Sequence, residues 1–470
     1  MSDQHNRQVM GCAGDPIVRT PHLDRLAGQG VRFTNAYCAN PVCGPSRMTF
    51  LTSRYSCDIK VWNNGAYLAS DVATFVHHLA LAGYETILCG RTHFLGPDQR
   101  HGYERRIVGE VQWAGPLDFE QQPMTSVRLR YSGPGRTPHS TYDEHVTAAA
   151  CRFLESDEAV HRGRPWFMTV GTMLPHDPYI CPPRLFEHYL PQVDVPPLPN
   201  GYHESLHPAM QLWRKRWRVD EVSDEQLRIA KAGYYGSVAY EDELIGRVLE
   251  ALDRRGLSDN TMVVYTSDHG EQAGHQRMWW KTTFYEGSVG VPLIVRWPGQ
   301  GQTGGVVNEV CSLVDVGPTL VDAVGGEPMP HVSGRSLRRF LQGQPVPDWP
   351  NTIFAEKVHR PHEREPARMI RSGPWKLNHY HGYDRPQLFN LDNDPGEWHD
   401  LGADPQFADV RDDLMHQVLD GWSAEDVLRY FEVWDADRSL RDRFDATAHV
   451  RPNEAPDPWV PPDDCTEFDL

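Results

Sequence analysis

The feature that most restricts this chain is a repeated junction, in which a short apolar run breaks directly into metal- or anion-binding residue types. "YETILCG" (84–90) stops at Gly90 and gives way to Arg91-Thr92-His93. "PWFMTVGTML" (165–174) is followed by Pro175-His176-Asp177, and "TMVVYT" (261–266) by Ser267 and then Asp268-His269. Runs of this length, bounded by glycine or polar clusters, read as buried strands. Helical patterns precede two of them. Asp71–Gly83 carries apolar residues at helical spacing, and "YYGSVAYEDELIGRVLEALDRRG" (234–256) reads as a long amphipathic helix closed by glycine. Strands alternating with helices predict a mainly parallel, doubly wound α/β sheet. Such sheets bind ligands beyond the carboxyl ends of their strands. Three strands thus deliver polar clusters to one rim.

A chain of 470 residues exceeds a single core, so two or three domains are expected. After about residue 340 the pattern changes. "GQPVPDWPNT" is a Pro-rich link, and "ARMIRSGPWKLNHY" and "PQLFNLDNDPGEWHDL" read as short strands and turns. The expectation is an α/β catalytic domain over 1–344 and a smaller C-terminal α+β domain over 345–470. The Pro- and Asp-rich tail beyond Arg451 is expected to wrap the surface or fray. "MSDQH" opens with polar residues; if Asp3 ends a strand as the other acidic residues do, that strand lies upstream of Met1.

Composition narrows the partners. No apolar run approaches the roughly 18 residues needed to span a bilayer, and no basic segment leads into an apolar one, so no export signal is visible and a cytoplasmic location is expected. The nine cysteines are scattered without CxxC pairs, which argues against a zinc ribbon or a disulfide framework. A formal charge of −18 repels nucleic acid and anionic membrane. An anionic substrate would need a local cluster of cations to overcome that field.

Asp3, Gln4, Asp268 and His269 offer mainly oxygen ligands with one imidazole, a set suited to a hard divalent cation such as Ca²⁺, with Mg²⁺ or Mn²⁺ next in preference. Cys43-Gly44-Pro45-Ser46-Arg47 lies in "CANPVCGPSRMTFLTSR", which resembles the modification motif of type I sulfatases, C-x-P-S-R followed by L-T-G-R. "GYETILCGRTH" resembles the family's second motif, G-Y-x-T-x-x-x-G-K-x-H, and "MSDQH" and "SDHGE" resemble its two metal-binding turns. The order also matches, and the resemblance to the sulfatases of the alkaline phosphatase superfamily covers essentially the whole chain.

This resemblance implies that a maturating enzyme converts Cys43 to formylglycine, that Asp3, Gln4, Asp268, His269 and modified residue 43 hold the metal, and that Ca²⁺ is the ion. A hydrated aldehyde carries two geminal hydroxyls. One attacks sulfur; the other then expels sulfate and regenerates the aldehyde. By resemblance, Arg47 steadies the hydrate, His93 helps take its proton, and His176 and Lys281 stabilise or protonate the leaving alkoxide, with Arg91 among the cations around the sulfate. Two positions depart from the family pattern. Arg91 replaces a lysine, keeping the charge but not the ready proton donor. Ser53 replaces a glycine, which bears on how efficiently Cys43 is modified.

Within the family, "THFLGPDQRHGYE", "WNNGAYLASDVATF" and "WWKTTFYEGSVGVPLIV" resemble choline sulfatases, and Asn64 falls where that group places an asparagine near the substrate. A quaternary ammonium is held by aromatic faces and a carboxylate, for which Trp62, Trp113 and Glu356 are candidates. The expected substrate is a small organic sulfate ester, and a homo-oligomer is compatible with the sequence. Two alternatives stand beside it: a phosphonate monoester or phosphodiester hydrolase of the same superfamily, and a catalytically defective sulfatase homologue.

Overall fold

A computed structural model of the protein describes residues 1–110, 126–161, 163–359 and 365–447; the tail beyond Arg451 and Trp113 lie outside the described residues. In chain order the strands are β1 (Val31–Tyr37), β2 (Glu85–Gly90), β3 (Arg105–Val108), β4 (Gly133–Pro134), β5 (Trp166–Gly171), β6 (Ile180–Cys181), β7 (Val263–Thr266), β8 (Leu293–Arg296), β9 (Gly305–Ser312), β10 (Thr352–His359), β11 (Glu365–Ser372), β12 (Trp375–Tyr380) and β13 (Gln387–Asn390).

The strands expected after Tyr84, Pro165 and Thr261 are β2, β5 and β7. β3, β2 and β5 form a wholly parallel sheet in that order. β7, β8, β1 and β9 form a second one, in which β1 pairs in parallel with β9 while β8 runs antiparallel to β1 and β7. The fold is therefore mixed α/β with one reversed strand, reached from β7 through the Asp268–Gly290 loops instead of a helical crossover.

β5 and β7 are not paired to each other; the first residues of the chain join them. Ser2 bridges in parallel to Ser267 and Asp3 to Pro175, with Thr172 N donating to Met1 O at 3.1 Å and Ser2 N to Thr266 O at 3.0 Å. Below that crossing the two edges stand apart. A cavity of about 600 Å³ lies between them, lined in part by Met168, Val170, Met262, Val264 and Leu320. A smaller one of about 160 Å³, with Leu154, Val248 and Leu252 in its wall, opens on the other face.

Helices sit where their caps put them. The helix expected from Asp71 begins at Phe75, because Thr74 and His77 close a capping box. The long helix runs Asp224–Arg254 and starts well ahead of Tyr234, where the Ser223 side chain accepts from Gln226 N. Its central turns, Ala232 to Asp242, are buried almost completely. The amphipathic pattern therefore holds only toward the ends.

Beyond the Pro-rich link, β10–β13 make an antiparallel meander. One face packs Ile370, Leu377 and Leu388 against Leu414 and Val418 of the helix Ala408–Leu419. Ile353, Ala355, Met369 and Phe389 join the main core built by the residues ahead of the link. Lys376, fully buried, donates to Glu286 Oε1 at 2.9 Å across that boundary. A buried cation without such a carboxylate would be costly. No helix among the described residues is long and apolar enough to cross a membrane.

Candidate active site

Cys43 opens the helix Cys43–Thr52, every residue of which is buried. Its position at the first turn places it at the positive end of the helix dipole. The turn is tied down from outside: Gly44 N donates to Asn64 Oδ1 at 2.9 Å, and Ser46 Oγ donates to the Asp268 carbonyl. Ser53, the departure from the expected glycine, caps the helix at φ +56°, in the left-handed region. That explains why glycine suits this position: a β-carbon there is strained.

Asp3, Cys43, Asp268 and His269 converge, with one ligand atom from each lying within 4.8 Å of all the others. The two carboxylates divide their oxygens. Arg47 takes Asp268 Oδ2 at 2.9 Å and Asp3 Oδ2 at 3.2 Å, and Arg91 Nε takes Asp3 Oδ2 at 2.9 Å. Both Oδ1 atoms lie 3.7 Å from His269 Nε2, which is itself 3.2 Å from Cys43 Sγ. His269 Nδ1 faces the Gly270 carbonyl at 2.9 Å, so Nδ1 carries the hydrogen and Nε2 keeps its lone pair for the cluster. Burial holds this imidazole below its ordinary pKa and hence neutral, the form a ligand needs. Burial raises Asp3, yet Arg91, His176, Lys281 and Arg47 together hold it well below the usual carboxylate range.

Gln4, at φ +70°, completes the set. Its Nε2 donates to Glu271 Oε2 at 2.5 Å and to Tyr179 OH at 3.2 Å, while its Oε1 is buried with no hydrogen-bond partner among the described residues. A buried amide oxygen without a partner on the residue after Asp3, together with the two carboxylates and the lone-pair imidazole of the cluster, fits an oxygen-seeking divalent cation.

Cations occupy the other side of Cys43. Lys281 Nζ is 2.9 Å from Cys43 Sγ and 3.0 Å from His176 Nε2. His176 Nδ1 meets the Asp177 carbonyl at 2.7 Å, which leaves Nε2 to accept from Lys281. Burial works against the Lys281 charge, but Cys43, Asp3, Asp268 and Asp177 outweigh it and raise its pKa. The lysine is aimed by its loop: Trp280 and Thr282 both have positive φ, and Trp213, Trp217 and Trp280 stack in series with centroids 5.4 and 5.0 Å apart.

Arg91 uses its whole fork. Besides Asp3 it reaches Glu110 Oε1 at 3.2 Å through NH1 and His93 Nδ1 at 2.9 Å through NH2. Arginine only donates, so Nδ1 accepts and a neutral His93 carries its hydrogen on Nε2. Burial, then Arg91 and Arg47, hold His93 well below its ordinary pKa. In this tautomer His93 offers a donor and not a base. Its Cδ2, the ring carbon next to Nε2, would lie 3.6 Å from a β-carbon on Gly44.

The structure thus brings Asp3, Gln4, Cys43, Arg47, Arg91, His93, His176, Lys281, Asp268 and His269 to one rim. Asn64 is beside it, its side-chain oxygen engaged by the Cys43 helix. Trp62 and Glu356 are spent elsewhere. Trp62 packs on Tyr430 and Phe431 of the helix Ala424–Thr447, and Glu356 accepts from Cys57 N at 2.8 Å. Sequence reasoning missed Glu110 and the part played by Glu271, which burial raises to a pKa of about 7 and which organises Gln4, Tyr179 and the backbone of Ala273 and Trp280. Glu271 stands in the quoted "SDHGE"; Glu110 carries no local signal.

Comparison with known proteins follows the same lines. The family model for Sulfatase matches residues 1–326, and that for N-sulphoglucosamine sulphohydrolase, C-terminal, matches 274–423. A choline-sulfatase of Rhizobium meliloti (strain 1021) is 31% identical over 93% of this chain and 90% of its own length. An N-acetylglucosamine-6-O-sulfatase of Bacteroides thetaiotaomicron is 26% identical over 89% and 84%. Among solved structures, a phosphonate monoester hydrolase from Silicibacter pomeroyi superposes with a TM-score of 0.76 at 25% identity, covering 90% of this chain and 94% of that one.

Proposed function

The chain belongs to the sulfatase family and is a sulfuric ester hydrolase; on that premise we propose that it cleaves a small organic sulfate ester with a cationic or neutral body, choline sulfate being the leading example, at residue 43 after conversion of Cys43 to formylglycine. The observation that carries the reading is the position of Cys43 between a buried oxygen-ligand cluster and Lys281–His176. When present, a divalent cation on Asp3, Gln4, Asp268 and His269, Ca²⁺ by preference, would supply Lewis-acid polarisation, and formylglycine made by a maturating enzyme would supply the attacking hydroxyl.

The chain's own groups do the rest. Arg47 is locked between Asp3 and Asp268, so its positive charge stays fixed at the base of the site. Arg91 and the Nε2–H of His93 present donors to the residue-43 oxygens and the sulfate. Lys281 Nζ, held by its hydrogen bond to His176 Nε2, gives a proton to the departing oxygen and becomes a neutral amine; His176, whose ring hydrogen is on Nδ1 at the Asp177 carbonyl, keeps that amine in place as an acceptor. These cations lie inside a molecule of formal charge −18, which favours a small uncharged or cationic body over a polyanionic sugar chain. The identity to a choline-sulfatase over 93% of the chain supports the same substrate class. Asn64 stands at the edge of the Cys43 turn, where it can reach a small substrate.

The test is a mass spectrum of the Cys43 peptide together with kcat/KM for choline sulfate, an aryl sulfate, a sulfated sugar and a phosphonate monoester. Formylglycine and a preference for choline sulfate are expected. A sulfated sugar that wins clearly overturns the small-substrate reading. Faster phosphonate turnover transfers the enzyme to the activity named for its structural neighbour.

A further inference from the structure

We propose that Glu110 is a positioning residue of this site, acting through Arg91 to fix the tautomer and orientation of His93; this rests on the reading of residue 43 as the reacting centre. β2 and β3 are parallel, with Cys89 opposite Val108. Arg91 and Glu110 each lie two residues beyond that last pair, just past the strand ends, where their side chains meet. The carboxylate is 4% exposed, and both its oxygens are used. Oε1 accepts from Arg91 NH1 at 3.2 Å, while Oε2 accepts from Thr92 N at 3.0 Å and His93 N at 2.6 Å.

Those contacts bind together the three residues that follow β2. His93 has φ +60°, a left-handed conformation that a residue with a β-carbon holds only when its surroundings impose it. The two backbone N–H groups pinned on Oε2 impose it here. Arg91 is meanwhile stretched between Glu110 and Asp3, which leaves NH2 aimed at His93 Nδ1. That donor keeps the ring hydrogen on Nε2, the side next to the Cys43 helix. Glu110 touches none of the atoms proposed to react, and its effect reaches them only through the guanidinium and the turn.

Glu110→Gln tests this with little change in shape. The amide oxygen can still accept from the Thr92 and His93 backbone, but the amide NH₂ then faces Arg91 NH1, donor against donor. The expected result is a fall in kcat of about 10²-fold with KM little changed. In a His93→Ala background the same substitution should cost nothing further, because the path through His93 is already cut. A ¹⁵N–¹H spectrum of the His93 ring should show the second tautomer appearing in Glu110→Gln. Wild-type kcat in the variant, an equal loss on top of His93→Ala, or an unchanged His93 tautomer each overturns the proposal. If the wild type turns over no ester, the functional reading falls, and the tautomer spectrum still decides the role of Glu110.

Discussion

Replacing Arg91 by lysine separates two accounts of this site. The family pattern has lysine there, so a chemistry that needs a proton-donating ammonium would gain from the change. The structure predicts a loss. Arg91 makes three side-chain hydrogen bonds, to Asp3 Oδ2 (2.9 Å), Glu110 Oε1 (3.2 Å) and His93 Nδ1 (2.9 Å), while only 2% of it is exposed. A lysine reaching along the same path keeps the Asp3 contact and gives up the other two, since a compact ammonium cannot span the fork. Asp3 still has Arg47 at 3.2 Å, so its carboxylate is not left uncompensated. Each lost bond to a charged group is worth about 1.5–3 kcal/mol. The one to Glu110 bears on the reaction only by holding Arg91 against His93, so it adds no separate catalytic loss once that contact is gone. The one to His93 orients a donor at the reacting centre, and 1.5–3 kcal/mol there corresponds to a fall in kcat/KM of about 10- to 10²-fold. Steady-state kinetics on a chromogenic aryl sulfate, with metal content measured in both proteins, reads this directly. Equal kcat/KM for Arg91→Lys at equal metal content would refute the reasoning, and a higher one would mark Arg91 as a defect.

Cys43→Ala should abolish turnover while leaving the circular dichroism spectrum and cooperative melt intact; residual full activity ends the residue-43 mechanism. Chelation should lower Tm and re-addition of Ca²⁺ restore it, by about 2.7 kcal/mol at 100 times Kd, whereas a Tm indifferent to Ca²⁺, Mg²⁺ and Mn²⁺ would remove the metal from Asp3, Gln4, Asp268 and His269. Ser53→Gly should stabilise by about 0.5–1 kcal/mol, the roughly 1–2 kcal/mol cost of a β-carbon at φ +56° less the roughly 0.5–1 kcal/mol of extra chain entropy that glycine loses; a lower denaturation midpoint contradicts the capping argument. Four apolar residues added as an extended segment ahead of Met1 should enter the cavity of about 600 Å³ between β5 and β7. Burial of each side chain gains about 1.5–3 kcal/mol against about 1–2 kcal/mol of ordering, so Tm should rise, and an unchanged Tm shows that the gap takes no strand.

The fold was legible where side chains alone decide it. The apolar runs ending in Gly90, Leu174 and Thr266 hold strands, and the polar clusters after them reach one rim because β2 and β5 are parallel and residues 2 and 3 tie the ends of β5 and β7 together in the same direction. Legibility failed where partners far along the chain decide. The helix at Asp224 begins ten residues early by the rule of amphipathic spacing, since its middle is enclosed on all sides and carries no period. β8 reads like any buried strand, and its reversal follows from the route the chain takes after Asp268, which no local pattern encodes. Ser53 lies in between. The departure from glycine was visible, but its meaning needed the backbone angle.

The site divides along the same boundary. Its ligands and cations could be picked out because each stands in a turn directly after a strand or opens a helix, where the chemistry shows in adjacent letters. What could not be picked out is how those groups share their hydrogen bonds. Arg91 next to His93 in "CGRTH" suggests two independent cations around an anion, and a protonated histidine fits that picture. The folded geometry removes one of them: Arg91 donates to Nδ1, burial and the neighbouring guanidinium charges keep the ring neutral, and His93 becomes a donor at Nε2. Trp62 and Glu356 reverse in the same way. Their residue types suit a quaternary ammonium, but packing against Tyr430 and bonding to Cys57 N occupy them first. The inventory of a site is thus written locally, while the protonation state of each member is set by contacts between strands. That is why Glu110, 17 residues from His93 and without any motif of its own, bears on the chemistry at residue 43.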